Sequence, residues 1–206
     1  ISITSATALA TVASVSGNQL TYHCSTIVSG FVIELTTVSL EAENTGDTTR
    51  YDAIKSCASV VLGSMLTSGV NSIIPELGKN IEQDINMDRR RWACWLMGQF
   101  CSQSKANYSD YIPVILKYLL GRVADNDKKV LEATIQALQC VFTTVGSDQM
   151  TPHIDFIRSC ITSTASDSKH RKGRGGVTDE SGEYLLPLLT LPSSLDPFLP
   201  TFLSIL

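Results

Sequence analysis

The cysteines Cys24, Cys57, Cys94, Cys101, Cys140 and Cys160 and the histidines His23, His153 and His170 are the side chains in this sequence best suited to holding a metal or attacking an electrophile. Their spacing serves neither purpose. There is no Cys-x-x-Cys pair, and the three histidines have no metal-ligand spacing among them. Cys94 and Cys101 share a helix face at i, i+7, but a redox or metal pair needs a closer partner. Thiols scattered singly along apolar helical segments read instead as small buried hydrophobes in a reducing compartment. Gly173-Arg174-Gly175-Gly176 is glycine-rich, yet it follows no strand and lacks the Gly-Lys-Ser/Thr or Gly-x-Gly-x-x-Gly pattern of a phosphate cradle, so it reads as a flexible linker. No catalytic triad can be assembled. These residues point to no enzyme, no cofactor and no small-molecule substrate, and function is to be sought on surfaces.

Two basic clusters could act on such a surface. Arg89-Arg90-Arg91 opens a predicted helix, where the side chains can form a solvated face, pair with Glu82 or Asp84 across the preceding turn, or bind an acidic partner. Lys169, Arg171, Lys172 and Arg174 put four positive charges into six residues of a predicted loop. Their local field is able to attract nucleic-acid phosphate or an acidic protein surface. A net charge of −4 argues against a protein that coats nucleic acid with its whole surface. Trp92 and Trp95 are three apart, share a helix face, and are expected to pack against a neighbouring hairpin. Asn107-Tyr108-Ser109 is a formal glycosylation sequon, but the apolar residues 1–17 have no basic segment before them and are interrupted by serine and threonine. They read as helix, not as a signal peptide, and Asn107 or Ser109 is expected to cap a helix. No stretch reaches the roughly 18 uninterrupted apolar residues of a membrane span, so no membrane contact is expected.

The elements that must position these groups form a repeat. Ala53, Ala93 and Ala133 lie 40 residues apart, each on an amphipathic helical pattern, and Val61, Cys101 and Val141 keep the same period. A branched apolar residue followed by proline or aspartate recurs at Ile74-Pro75, Ile112-Pro113, Ile154-Asp155 and Leu199-Pro200, at spacings of 38, 42 and 45. Two helices per unit of this length is the signature of HEAT and armadillo arrays. One helical hairpin cannot bury its own apolar face, so neighbours stack into a continuous core. The fold expected is all-α, a solenoid of antiparallel helix pairs, with the three alanines buried where helices cross.

Along the chain, residues 3–15 read as the second helix of one unit and Asn18 to about Leu40 as the first helix of the next. A helix from about Thr48 to Thr67 follows, closed at Ser68-Gly69 by a left-handed glycine. Val70, Ile73, Ile74 and Leu77 form the next apolar stripe, and Asp88 is placed to cap a helix from Arg89 to Ser104. Tyr111, Ile115, Tyr118 and Leu119 share one face. The following helix carries two stripes, Val130, Thr134, Ala137, Val141 and Leu131, Ile135, Leu138, Phe142, as an inner helix packed on both sides requires. Gly146 ends it, and Thr151-Pro152 starts another with proline at a position where its missing N–H costs nothing. Residues 1–163 thus form the repeats, 164–182 a basic and acidic loop, and 183–206 a proline-punctuated segment with the first helix of a further unit. The first helix has no cap and Leu206 stops inside an apolar pattern, so the chain reads as an internal or C-terminal piece of something longer.

Asp88-Arg89-Arg90-Arg91, Gln99-Phe100-Cys101, Asp110-Tyr111-Ile112-Pro113 and the run Leu186-Pro187, Leu191-Pro192, Phe198-Leu199-Pro200 carry a resemblance beyond a generic repeat. The chain resembles the general control nonderepressible translational activator family, very large HEAT-repeat proteins. The resemblance implies a cytoplasmic scaffold that binds translating ribosomes, works with an ATP-binding-cassette translation partner, and holds the starvation-responsive kinase of initiation factor 2 alpha through that kinase's N-terminal domain. The basic stretch Lys172 to Gly176 has no counterpart in the family pattern. The alternative is a trafficking or nuclear-transport adaptor, whose inner helices would be expected to carry acidic residues and Asp/Asn ladders where this chain has Arg89 to Arg91 and Lys128-Lys129.

Overall fold

The structure is a computed structural model and describes residues 1–83, 85–123, 125–145, 147–157 and 159; every regular element among them is helical. Helix α1 (Ile3–Leu20) bends at Ser16, whose φ of −130° and ψ of 32° leave the helical region. Its straight part matches the helix read over 3–15. After a 3₁₀ turn come α2 (Cys24–Thr45), α3 (Thr49–Gly63), α4 (Val70–Ile81), α5 (Met87–Gln103), α6 (Ile112–Leu120), α7 (Lys128–Val145) and the short α8 (Ser147–Met150). A 3₁₀ turn at Thr151–His153, with Pro152 in its first positions, leads into helical residues 154–157.

The helices stack in two layers. In one, α1, α3, α5 and α7 pack in that order; in the other, α2 packs on α4 and α4 on α6. Hairpins α2–α3, α4–α5 and α6–α7 join the layers. This is an all-α HEAT-type solenoid, and the stripes seen in the sequence explain it. Val70, Ile73, Ile74 and Leu77 of α4 are all buried, and so are both stripes of α7, because α7 packs on α6 with one and on α5 with the other. Each such side chain contributes about 1.5–3 kcal/mol when fully buried, which outweighs the serines and threonines scattered through α2. The stretch Thr21–Thr45 is also long and apolar enough to cross a membrane by length and composition, contrary to the expectation from uninterrupted runs. It is a core helix here: Val28, Phe31, Val32 and Leu35 are buried, and it packs on α3, α4 and α5.

The period sets the stacking register. Ser59 meets Gln99, Cys94 meets Thr134 and Thr67 meets the backbone of Asn107, each pair 40 residues apart, and Lys55 lies over the ring of Trp95 at the same offset. Ala93 and Ala133 are buried, but Ala53 is half-buried. The crossing of α3 on α5 is made tight elsewhere, at Gly63, where a Cβ would lie 3.4 Å from the Gln103 carbonyl oxygen.

Four local expectations are corrected. The left-handed glycine is Gly46, φ 75°, capping α2; Gly69 lies in a right-handed 3₁₀ turn and is small because Cys24 Sγ would sit 2.8 Å from its Cβ. Helix α3 therefore stops at Gly63, not Thr67. The cap of α5 is Asn86, whose side chain accepts from the Arg89 N–H at 3.0 Å, so the helix starts before Asp88. Neither Asn107 nor Ser109 caps a helix: the cap positions are Tyr108 and Tyr111, and Asn107 instead closes a local turn by accepting from the Ser109 N–H at 3.1 Å. The divisions at 164–182 and 183–206, the stop at Gly146, and Cys160 and His170 lie outside the described residues.

Cys24, Cys57, Cys94 and Cys101 are buried, Cys140 is half-buried, and all five are free. Burial raises each of these thiols, pushing Cys94 up to about 11. With Cys160 replaced by serine, a thiol reagent at neutral pH should label Cys140 first and leave the other four until denaturant is added. Rapid labelling of Cys94 or Cys101 in the native protein would contradict this packing.

Candidate functional site

The amino-terminal ends of α3, α5 and α7 lie along one edge of the array and bring Arg50, Arg89 to Arg91, Lys128 and Lys129 to it. Helix N-termini carry unpaired N–H groups and a partial positive charge, so this edge favours anions. Its cations are spent unequally. Arg50 donates to Glu34 and Glu41 at 2.6 Å each, within its own hairpin.

Arg90 is buried and serves the fold. Its Nε and Nη2 donate to the two carboxylate oxygens of Asp125 at 2.9 and 3.1 Å, and its Nη1 donates to the Gln83 carbonyl at 3.1 Å. The partner is therefore Asp125, on the turn before α7, and not Glu82 across its own hairpin turn; Asp84 lies outside the described residues. Asp125 also accepts from the Asp127 N–H and has Arg122 at 3.6 Å. A planar guanidinium suits this bidentate link between adjacent hairpins.

Arg91 and Lys129 both reach Glu43 at the end of α2, at 3.8 and 2.6 Å. The Lys129 hydrogen bond, with the charges of Lys129 and Arg91, holds the Glu43 carboxyl below its ordinary range. Arg91 also lies over the Trp92 ring at 4.6 Å. Arg89 is half-buried and Lys128 exposed, and neither has a side-chain ion pair or hydrogen bond among the described residues. Arg91 and Lys129 thus share one carboxylate, with Arg89 and Lys128 beside them, while Asp52 and Asp88 in the first turns of α3 and α5 and Asp127 before α7 bring further carboxylates to the same edge. Lys169, Arg171, Lys172 and Arg174 lie outside the described residues.

Trp92 is buried and Trp95 half-buried, packed edge-to-face at 5.9 Å. The indole N–H of Trp92 donates to Ser39 Oγ at 3.2 Å, tying α5 to α2. His23 is exposed and His153 half-buried, both in 3₁₀ turns. Among the described residues no group of three or more His, Cys, Asp and Glu side chains is placed to hold a metal. Sequence reasoning missed Asp125 and Glu43, which are far from the arginines in sequence. The signal for Asp125 was available only once the hairpins were stacked.

The family described as Stalled ribosome sensor GCN1-like, HEAT repeats, matches residues 1–193. Protein ILITYHIA of Arabidopsis thaliana is 28% identical over 203 residues, covering 98% of this chain and 7% of that protein. Stalled ribosome sensor GCN1 of Mus musculus is 26% identical over 133 residues, 65% of this chain and 5% of that protein. The chain spans less than a tenth of either relative's length. No solved structure matches it significantly.

Proposed function

We propose, for a chain that belongs to the Stalled ribosome sensor GCN1-like family of HEAT repeats, a non-catalytic scaffold role in translational control in the cytoplasm. Its partners are the ribosome, the N-terminal domain of a starvation-responsive kinase and an ATP-binding-cassette translation partner. The observation that supports this reading is the row of Arg89, Arg91, Lys128 and Lys129 at the starts of α5 and α7, cations that share Glu43 or have no ion pair among the described residues. On a chain of net charge −4, a cationic edge at helix ends gives an oriented contact with an anionic partner such as ribosomal RNA. The basic residues Lys169, Arg171, Lys172 and Arg174 add the same chemistry.

Cosedimentation with ribosomes at low and moderate salt tests it. Replacing Arg89, Arg91 and Lys129 by serine should weaken binding and reduce the salt slope by about one for each phosphate that is no longer neutralised. The four-site serine variant of Lys169, Arg171, Lys172 and Arg174 should act in the same direction with helix content unchanged. Glu43→Gln should do the opposite, because it releases Arg91 and Lys129 from their internal partner. The pH dependence follows the same sign: the Glu43 carboxyl is depressed in the fold, so its pairing stabilises the chain above the ordinary carboxylate range and is lost as pH falls through the folded value. Binding should tighten over that fall. Identical cosedimentation by wild type and all three variants would remove the edge from ribosome contact.

A further inference from the structure

We infer that the face of α3, α5 and α7 that carries Ser59, Gln99 and Gln139 binds an extended, uncharged peptide segment of a partner protein through a ladder of side-chain hydroxyl and amide groups. The rungs are Ser59, Gln99 and Gln139, which fall at the same position on three successive helices, 40 residues apart, and all three are half-buried. Ser59 Oγ donates to Gln99 Oε1 at 3.0 Å. The same hydroxyl also lies 3.2 Å from the Lys55 carbonyl, so its one hydrogen is shared between the two acceptors, and the Gln99 NH₂ group has no further partner among the described residues. Gln139 and its exposed neighbour Gln136 make no side-chain hydrogen bond among the described residues.

Between α5 and α7, Gln99, Gln136 and Gln139 line a cleft of about 380 Å³, with Trp95 at its border. The cleft has no ionised side chain in its wall. A nucleic acid would bring phosphates that only cations offset, so a neutral wall disfavours it. Peptide main chain offers alternating N–H and C=O groups, and the wall answers both. The amides supply donors. Thr143 and Thr144 have spent their hydroxyl hydrogens on the helix carbonyls of Gln139 and Cys140, at 2.7 and 2.8 Å, and present acceptor lone pairs.

Spacing agrees with this occupant. Packed helices lie ~8–10 Å apart, and an extended chain advances ~3.3 Å per residue, so each rung meets about every third residue. Trp95, one helical turn before Gln99, is held by the edge of Trp92 at 5.9 Å and by Lys55 over its ring at 5.1 Å. A ring pinned in this way gives an apolar side chain of the peptide a fixed surface beside the first amide. The inference rests on the scaffold reading only in requiring a protein partner; cosedimentation tests the basic edge separately, so either can fail alone.

The test selects phage-displayed peptides of roughly 12 residues, enough to cross three rungs, on the immobilised full chain. Synthetic versions of the enriched sequences should bind independently of salt, lose binding when alternate peptide nitrogens are methylated, and be unaffected by an excess of oligouridylate. The Gln99→Ala/Gln139→Ala variant should bind them about tenfold more weakly, with circular dichroism unchanged and only the small drop in melting that loss of the Ser59 hydrogen bond brings. Gln136→Ala, fully on the surface, gives a second reading of the same ladder. No enrichment over an unrelated helical protein, binding unchanged in the ladder variants, or competition by the RNA would each overturn the inference.

Discussion

Asp125→Ala should destabilise the chain by about 3–5 kcal/mol, the range for removing one partner of a buried ion pair. The side chain of Arg90 is 10% exposed and that of Asp125 4%. Without Asp125 the guanidinium loses both of its carboxylate bonds, and Arg122 loses the carboxylate 3.6 Å away. Arg90→Ala should cost less, near the lower end of that range, because Arg122 remains to face Asp125. Combining Arg90→Met with Asp125→Leu should recover most of the loss, since no charge is then left buried. Urea unfolding of the four proteins gives the comparison. A loss below about 1 kcal/mol in Asp125→Ala, the level of a surface pair, would show that the two hairpins are not joined as described.

The second large effect is expected at Gly98. A Cβ there would lie 2.8 Å from Ala137 Cα and 3.1 Å from its Cβ, and backbone cannot turn aside as a side chain can. Gly98→Leu should therefore push α5 and α7 apart and cost about 3 kcal/mol or more, at the upper end of overpacking. Gly30 is the control. It is exposed in the middle of α2 with nothing within 4 Å of an added Cβ, so Gly30→Ala should stabilise by up to about 1 kcal/mol through helix propensity alone. Thermal melts that moved in the same direction for both substitutions would contradict the close approach of α5 and α7.

Whatever has a local period is legible in the chain itself. The two stripes of α7 mark an inner helix before any neighbour is known, because burial on two sides leaves two sets of apolar residues at helical spacing. The 40-residue interval of Ala93 and Ala133 reveals the array for the same reason. Arg90 is the opposite case: its identity and position are plain, but its partner stands 35 residues away on the next turn, and only stacking makes the two neighbours. Caps shift by small steps, as between Asn86 and Asp88, because both residue types can accept the orphan N–H bonds and the backbone angles decide between them. At Gly69 the sequence suggests a conformational need, whereas the need is room for the Cys24 sulfur.

The contacts at a constant offset of 40 make the layer of α3, α5 and α7 a ruler for the repeats. Deleting one residue within α5 would rotate everything beyond it by about 100°, so Gln99 would leave Ser59 and Gly98 would leave Ala137 in the same stroke. A deletion in the turn between α4 and α5 would shorten only a connection. Length changes should accordingly gather in the turns and the other layer, and the sequence already shows that drift. The first residues of α2, α4, α6 and the helix at 154, namely Cys24, Val70, Ile112 and Ile154, are separated by 46, 42 and 42 residues, while the alanines keep 40 throughout. Insertions and deletions among relatives would then report which layer sets the register, a reading that point substitutions cannot give.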